Sequence, residues 1–321
     1  MSSIYNCTGH ELKIPDIVDS DGAWLIDRSG KRYLDLESGV WCTPLGHKNQ
    51  SVNKAITRQI ASISHVGFCY SNEVVEKAGE AVISITDFFG GQCVFLCSGS
   101  EAIELARQMS KHLTNKPTTL CLHDAYLGSF SSTISRDSGW AIFDWNECAT
   151  CPKRQTCDIE CPKLKAVPDD IAEFVFEPGS SGGFVRFPPV ALIKNIAEIV
   201  QSQGGKVIVN DVTTGMGRTG EWFGYNHYQI EPDFVAIGKG LGNGYPVSAL
   251  AINRKAVSQL KSGTFKYMQS HQNDPLGAAV ALEVISQITR ENLIDRAANL
   301  GRTFLKELQS LGDDTVPDLI G

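Results

Sequence analysis

The chain has 321 residues, 42% of them hydrophobic, with 36 acidic against 29 basic side chains and a net charge of −7 at pH 7. That length suggests one large domain with a smaller one, and a sizeable core. No Lys/Arg block stands out, which argues against a nucleic-acid partner, and no apolar run approaches the length of a membrane span.

The opening MSSIYNCTGHELKIPD lacks the basic and apolar regions of a signal peptide, so a cytoplasmic protein is the simplest expectation. On that reading the ten cysteines are free thiols or metal ligands rather than disulfides. Residues 22–36 alternate like a hairpin turning at Arg28-Ser29-Gly30, and 50–64 and 72–88 have helical periodicity. A strand at 93–96 runs into a turn that opens a helix around 101–113. Strand patterns recur at 118–122, 172–176, 206–210, 233–237 and 247–252, with a helical pattern at 190–203. Strands alternating with helices predict a doubly wound, mainly parallel α/β sheet. Residues 275–311 read as long helical material leaving that sheet, and 137–168 as a polar, irregular insertion with four cysteines.

The chemistry-bearing residues fall at strand ends, where α/β folds place their ligands. Lys239 follows the apolar strand Phe234-Val235-Ala236-Ile237 inside a turn carrying Gly238, Gly240, Gly242 and Gly244. A desolvated lysine there can act as a nucleophile; the alternative is a solvated loop lysine. Ser98-Gly99-Ser100-Glu101 opens a helix and can cradle a phosphate, or can simply cap it. Asn210 and Asp211 end another apolar strand, either partnered in a site or capping the turn. Tyr126 can stack on a planar ligand or pack in the core. Taken together, a phosphate cradle, an aromatic plate, a polar strand end and a lysine nucleophile are the set that pyridoxal phosphate requires.

Longer stretches carry a resemblance. YLDLESGVWCTPLGH, FLCSGSEAIELARQ, AYLGSF, FEPGSSGG, SHQNDPLGAAVAL and above all TTGMGRTGEWFGYNHYQIEPDFVAIGKGLGNGYPVSAL resemble the class III aminotransferases, fold-type I pyridoxal-phosphate enzymes, over nearly the whole chain. The resemblance implies an N-terminal small-domain segment at 1–45 and a cofactor-binding large domain at 46–280 that contains the insertion 137–168. A linker helix and the start of a C-terminally incomplete small domain follow at 281–321. It implies that Lys239 forms the Schiff base and shuttles the Cα proton. Gly99 and Ser100 would hold the phosphate, Tyr126 would stack on the ring and Glu177 would lie near it. Ser270 would reach the neighbouring subunit of a homodimer, and the substrates would be an amino donor and a 2-oxo acid.

Three departures stand beside those matches. Asn210 falls where the family has the aspartate that keeps the ring nitrogen protonated, and Thr213 where it has a glutamine near the ring hydroxyl. An amide can hydrogen-bond that nitrogen but cannot neutralise it, and Asp211 is expected on the opposite face of the strand. The run TVPDLIG looks like the start of a strand that the family continues well beyond. Finally, Cys148, Cys151, Cys157 and Cys161 form a C-x2-C-x5-C-x3-C cluster suited to an iron–sulfur cluster or structural zinc, with a reduced loop or two disulfides as alternatives. The other six cysteines, and pocket neighbours Trp41, Cys42 and Tyr70, read as mostly buried core and as pocket lining respectively. The expected activity is amino transfer; a racemase with a weakened electron sink, or a non-catalytic metal-binding scaffold, are the alternatives.

Overall fold

The computed structural model describes residues 3–5, 7, 12–14, 16–180 and 185–311. Among them, ten strands form two sheets. Three make an antiparallel meander near the N-terminus: β1 (Ile17–Asp21), β2 (Trp24–Asp27) and β3 (Arg32–Leu34). Its tight turn needs Gly30, at φ +86°, and Asp27 Oδ1 accepts the Ser29 and Lys31 amides at 2.9 and 3.0 Å.

The other seven strands are β4 (Gln92–Leu96), β5 (Thr118–Leu122), β6 (Trp140–Phe143), β7 (Ile171–Phe176), β8 (Lys206–Asn210), β9 (Phe234–Ile237) and β10 (Ser248–Ile252). They lie in the order β4-β10-β9-β8-β7-β5-β6, and only β10 runs against its neighbours. Strands β7 to β10 are buried along their whole length, as strands of a sheet covered on both faces must be. The helix Gly99–Thr114 packs on β7 to β10, and Val190–Ser202 on β7 and β8. Helices Gln50–Ser62 and Glu73–Ile85 pack against Pro275–Arg290.

Three expectations need correction. The segment 137–168 is not wholly an insertion: its Trp140-Ala141-Ile142-Phe143 is the edge strand β6, paired in parallel with β5. Its half-exposed position explains why it carries so weak an apolar signal. The helical stretch 275–311 is two helices, Pro275–Arg290 and Leu293–Ser310, broken at Asn292 with φ +48°. Of the six cysteines read as core, only Cys121 is fully buried, while Cys7 and Cys69 are exposed, because neither lies in a strand or helix. The TVPDLIG stretch lies outside the described residues.

One buried ion pair ties the sheet to its covering helix. Arg107, on Gly99–Thr114, points its guanidinium at Glu173 of β7 across 3.6 Å and stacks on Trp140 of β6 at 4.6 Å. The Glu173 carboxylate, wholly buried and with its pKa raised by that burial, accepts the Thr119 hydroxyl at 2.6 Å. Truncating Glu173 leaves the Arg107 charge buried and dependent on Glu104, 3.6 Å away. Glu173→Ala is therefore expected to lower unfolding stability by about 3–5 kcal/mol, read from the urea midpoint, and Glu173→Gln by less.

Candidate active site

Strands β4, β5, β7, β8 and β9 point the same way, so their carboxyl ends share one edge of the sheet. A cavity of about 150 Å³ opens there. Its wall begins with Gly99, Ser100 and Ile103 after β4, continues with Tyr126 and Gly128 after β5, and closes with Asn210, Val212 and Thr213 after β8 and Lys239 after β9.

Glycine makes the walls close enough to meet. A Cβ at Gly99 would sit 2.7 and 2.8 Å from the two γ-methyls of Val212, so the helix start and the β8 loop pack together only without one. At Gly128, with φ +114°, a Cβ would come within 3.1–3.2 Å of Ser100. Ser98 caps the helix: its Oγ accepts the Glu101 amide, while Glu101 Oε2 accepts the Cys97 and Ser98 amides at 2.7 and 3.1 Å. The next two amides, of Gly99 and Ser100, line the cavity and find no acceptor among the described residues. Capping and anion binding, posed as alternatives in the sequence, are thus served by different groups of the same helix start.

Lys239 adopts φ +40°, a left-handed conformation that a non-glycine residue reaches at a cost. That backbone opens the 3₁₀ turn Lys239–Gly242. The amine donates to Thr213 Oγ1 at 2.9 Å and lies 5.5 Å from the ring centre of Trp41. Burial pulls its pKa below that of an ordinary lysine; Glu177 and Cys42 oppose the shift, and Arg218 adds to it. Arg218 is held by donating to the Trp41 carbonyl at 2.9 Å.

Tyr126 is the exposed plate of the cavity, with 41% of its surface free. Its backbone is clamped from below: its amide donates to Glu177 Oε2 at 2.8 Å, and its carbonyl accepts Asn210 Nδ2 at 2.7 Å. Asn210 is itself buried at 4% exposure. Asp211 cannot replace it at the cavity. Its carboxylate accepts the Thr214 hydroxyl at 2.7 Å and the Gly224 and Tyr225 amides at 3.0 Å each. Burial pushes that carboxyl up to about 6 although these donors pull it down.

The structure thus brings Gly99, Ser100, Tyr126, Asn210, Thr213 and Lys239 together, with Glu177 supporting Tyr126. Ser270 is exposed and lines no part of this cavity. Trp41 and Cys42 neighbour Lys239, but Tyr70 is exposed and does not line the cavity. Cys148, Cys151, Cys157 and Cys161 are half-buried free thiols outside it. Sequence reasoning missed Val212, whose signal is legible only once Gly99 is known to press on it. A larger cavity of about 620 Å³ lies by β4, where burial pushes the Cys93 thiol up to about 12.

Comparison with known proteins identifies the family. The family described as aminotransferase class-III matches residues 7–320. The acetylornithine aminotransferase of Methanosarcina mazei is 32% identical over 94% of this chain and 75% of its own length. That of Mycobacterium tuberculosis is 31% identical over 95% of this chain and 76% of its own length. Among solved structures, a Bacillus anthracis aminotransferase superposes with a TM-score of 0.89 at 25% identity, covering 99% of this chain and 78% of that one. An amine transaminase from an uncultivated Pseudomonas species shares the fold, with a TM-score of 0.87 at 22% identity over 97% of this chain and 80% of that one.

Asn210 tests the geometry of the cavity floor. Its Nδ2 donates to a carbonyl, which a carboxylate cannot do, so Asn210→Asp sets two acceptors against each other at 2.7 Å. The variant apoprotein is expected to lose about 1–3 kcal/mol of stability by urea unfolding, in spite of the small size of the change.

Proposed function

The chain belongs to the class III aminotransferase family and is a pyridoxal-phosphate-dependent aminotransferase, and from that premise we propose how its own residues divide the work. The cavity suits the cofactor on three counts: two unaccepted amides at a helix start, a glycine cradle that a Cβ would fill, and a desolvated amine. When bound, pyridoxal phosphate supplies an electron-withdrawing ring to the substrate's Cα.

Gly99 and Ser100 would hold the phosphate through their amides, at the positive end of the Gly99–Thr114 helix dipole. Tyr126 would cover one face of the ring, and its backbone is fixed by Glu177 and Asn210. Thr213 orients the Lys239 amine by accepting its hydrogen bond. Lys239 is the amine that would hold the cofactor covalently and would move the proton at the substrate Cα. Asn210 would offer the ring nitrogen an uncharged partner, able to hydrogen-bond without holding a proton on it. The observation that carries this reading is the half-buried Lys239 amine at the shared strand edge, 2.9 Å from Thr213.

The substrates are an amine or amino acid and a 2-oxo acid; acetylornithine, named for the two relatives, is the first donor to try. A homodimer fits the exposure of Ser270, and of Phe68, Tyr70 and Met268, an apolar set suited to cover. A cytoplasmic setting fits the ten free cysteines.

Incubation with ¹⁵N-labelled donors and unlabelled 2-oxo acids is expected to yield labelled amino acid product with the wild type and none with Lys239→Ala. Scrambling at Cα without any oxo acid product would instead support the racemase reading that Asn210 favours. The electrostatics around the amine give a second expectation. Attachment requires neutral Lys239, and Glu177 favours its charged form whereas Arg218 disfavours it. Followed by absorbance against pH, the rate of covalent cofactor capture should shift to lower pH in Glu177→Gln and to higher pH in Arg218→Ala.

A further inference from the structure

The cysteine loop has no part in the cofactor site, yet it is built with care. Between the short helices Asn146–Ala149 and Pro162–Lys165 the backbone forms only turns, such as Arg154 N to Cys151 O at 2.9 Å and Cys161 N to Asp158 O at 3.1 Å. A stretch of this kind has few contacts to offset the entropy of ordering it. Its thiols nevertheless turn inward: Cys148, Cys157 and Cys161 pack against the core, and Asn195 of the helix Val190–Ser202 donates to the Cys157 carbonyl at 2.7 Å. The thiols also lie near one another, Cys157 near Cys161 and Cys148, and Cys148 near Cys161 and Cys151.

The spacing of the cysteines points to one class of metal centre. They run C-x2-C-x5-C-x3-C with Pro162 directly after the last, the C-x3-C-P ending of cysteine runs that hold four-iron clusters. A polynuclear centre of that kind, whose cysteines ligate separate irons at its outer corners, takes all four thiolates.

The loop is also wired to the cofactor cavity. Cys148 donates its amide to the Trp145 carbonyl at 2.8 Å. The buried Trp145 indole donates to Asp124 Oδ1 at 2.9 Å, and Arg186 stacks on that indole at 4.5 Å while donating to Asp124 Oδ2 at 2.7 Å. Asp124 lies two residues before Tyr126, the exposed plate of the cavity.

We propose that Cys148, Cys151, Cys157 and Cys161 ligate an iron–sulfur cluster of the four-iron, four-cysteine class, which closes this loop and braces the Tyr126 edge of the active site through Trp145 and Asp124. The role is structural. The proposal stands whatever the fate of the cofactor reading, because metal and sulfide are measured without pyridoxal phosphate.

The test is the iron, zinc and acid-labile sulfide content of the full chain, purified anaerobically and again after anaerobic reconstitution with ferrous iron and sulfide. The expected result is about four irons and four sulfides per chain, with a broad visible absorbance that dithionite bleaches. The double variant Cys157→Ser, Cys161→Ser should lose both, and Cys69→Ser, an exposed thiol elsewhere, should keep both. Because Lys153 and Arg154 are exposed within the loop, trypsin should cut there several-fold faster once the cluster is removed. One zinc per chain without sulfide, a Cys157–Cys161 disulfide by mass, or four thiols that stay metal-free after reconstitution would each overturn the proposal.

Discussion

The active site depends on three backbone segments being pressed together around the Val212 side chain. Gly99 and Gly238 both lie against its methyls, at distances where an added Cβ would meet them at 2.7 and 3.2 Å. That contact brings the helix start after β4 and the lysine turn after β9 to the two sides of the β8 loop. The amides meant for an anion and the amine meant for a carbonyl then border one small cavity. Without these close approaches the same residue types would sit on separate loops and do nothing in common.

The second constraint is the alternation of side chains at the end of β8. Asn210 and Asp211 are neighbours, and one faces Tyr126 while the other serves the loop that returns through Gly224 and Tyr225. The charge is thus committed to scaffolding and the neutral amide to the cavity. Lys239 feels a related division: burial weakens its hold on the proton, and nearby Glu177 and Cys42 restrain that effect. The result is an amine that is more readily neutral than a surface lysine, held in place by a hydroxyl.

Much of this was legible in the sequence, for identifiable reasons. Apolar runs ending in polar or glycine-rich turns located the strand edge, because parallel strands must be buried on both faces and must end where the backbone can turn. Lys239, Gly99, Ser100, Tyr126 and Asn210 could be picked out for that reason, and Thr213 only from its register against the family's motif. What stayed hidden depended on contacts between distant segments. The edge strand β6 is half-exposed and carries little pattern. The Trp145–Asp124–Arg186 cluster joins three separate stretches of chain, and the exposure of Cys7 and Cys69 follows from their lying outside any strand or helix. Spacing alone marked the four loop cysteines as a set, but it could not say that three of them pack against the core.

The most direct test of the central claim is chemical mapping of the cofactor's covalent site. Holoprotein reduced with borohydride and digested should carry the pyridoxyl mass on the peptide containing Lys239, at close to one per chain. Label on another lysine, such as the buried Lys206, or no label at all after saturation with pyridoxal phosphate, would contradict the account of a cofactor held at the shared carboxyl edge of the sheet.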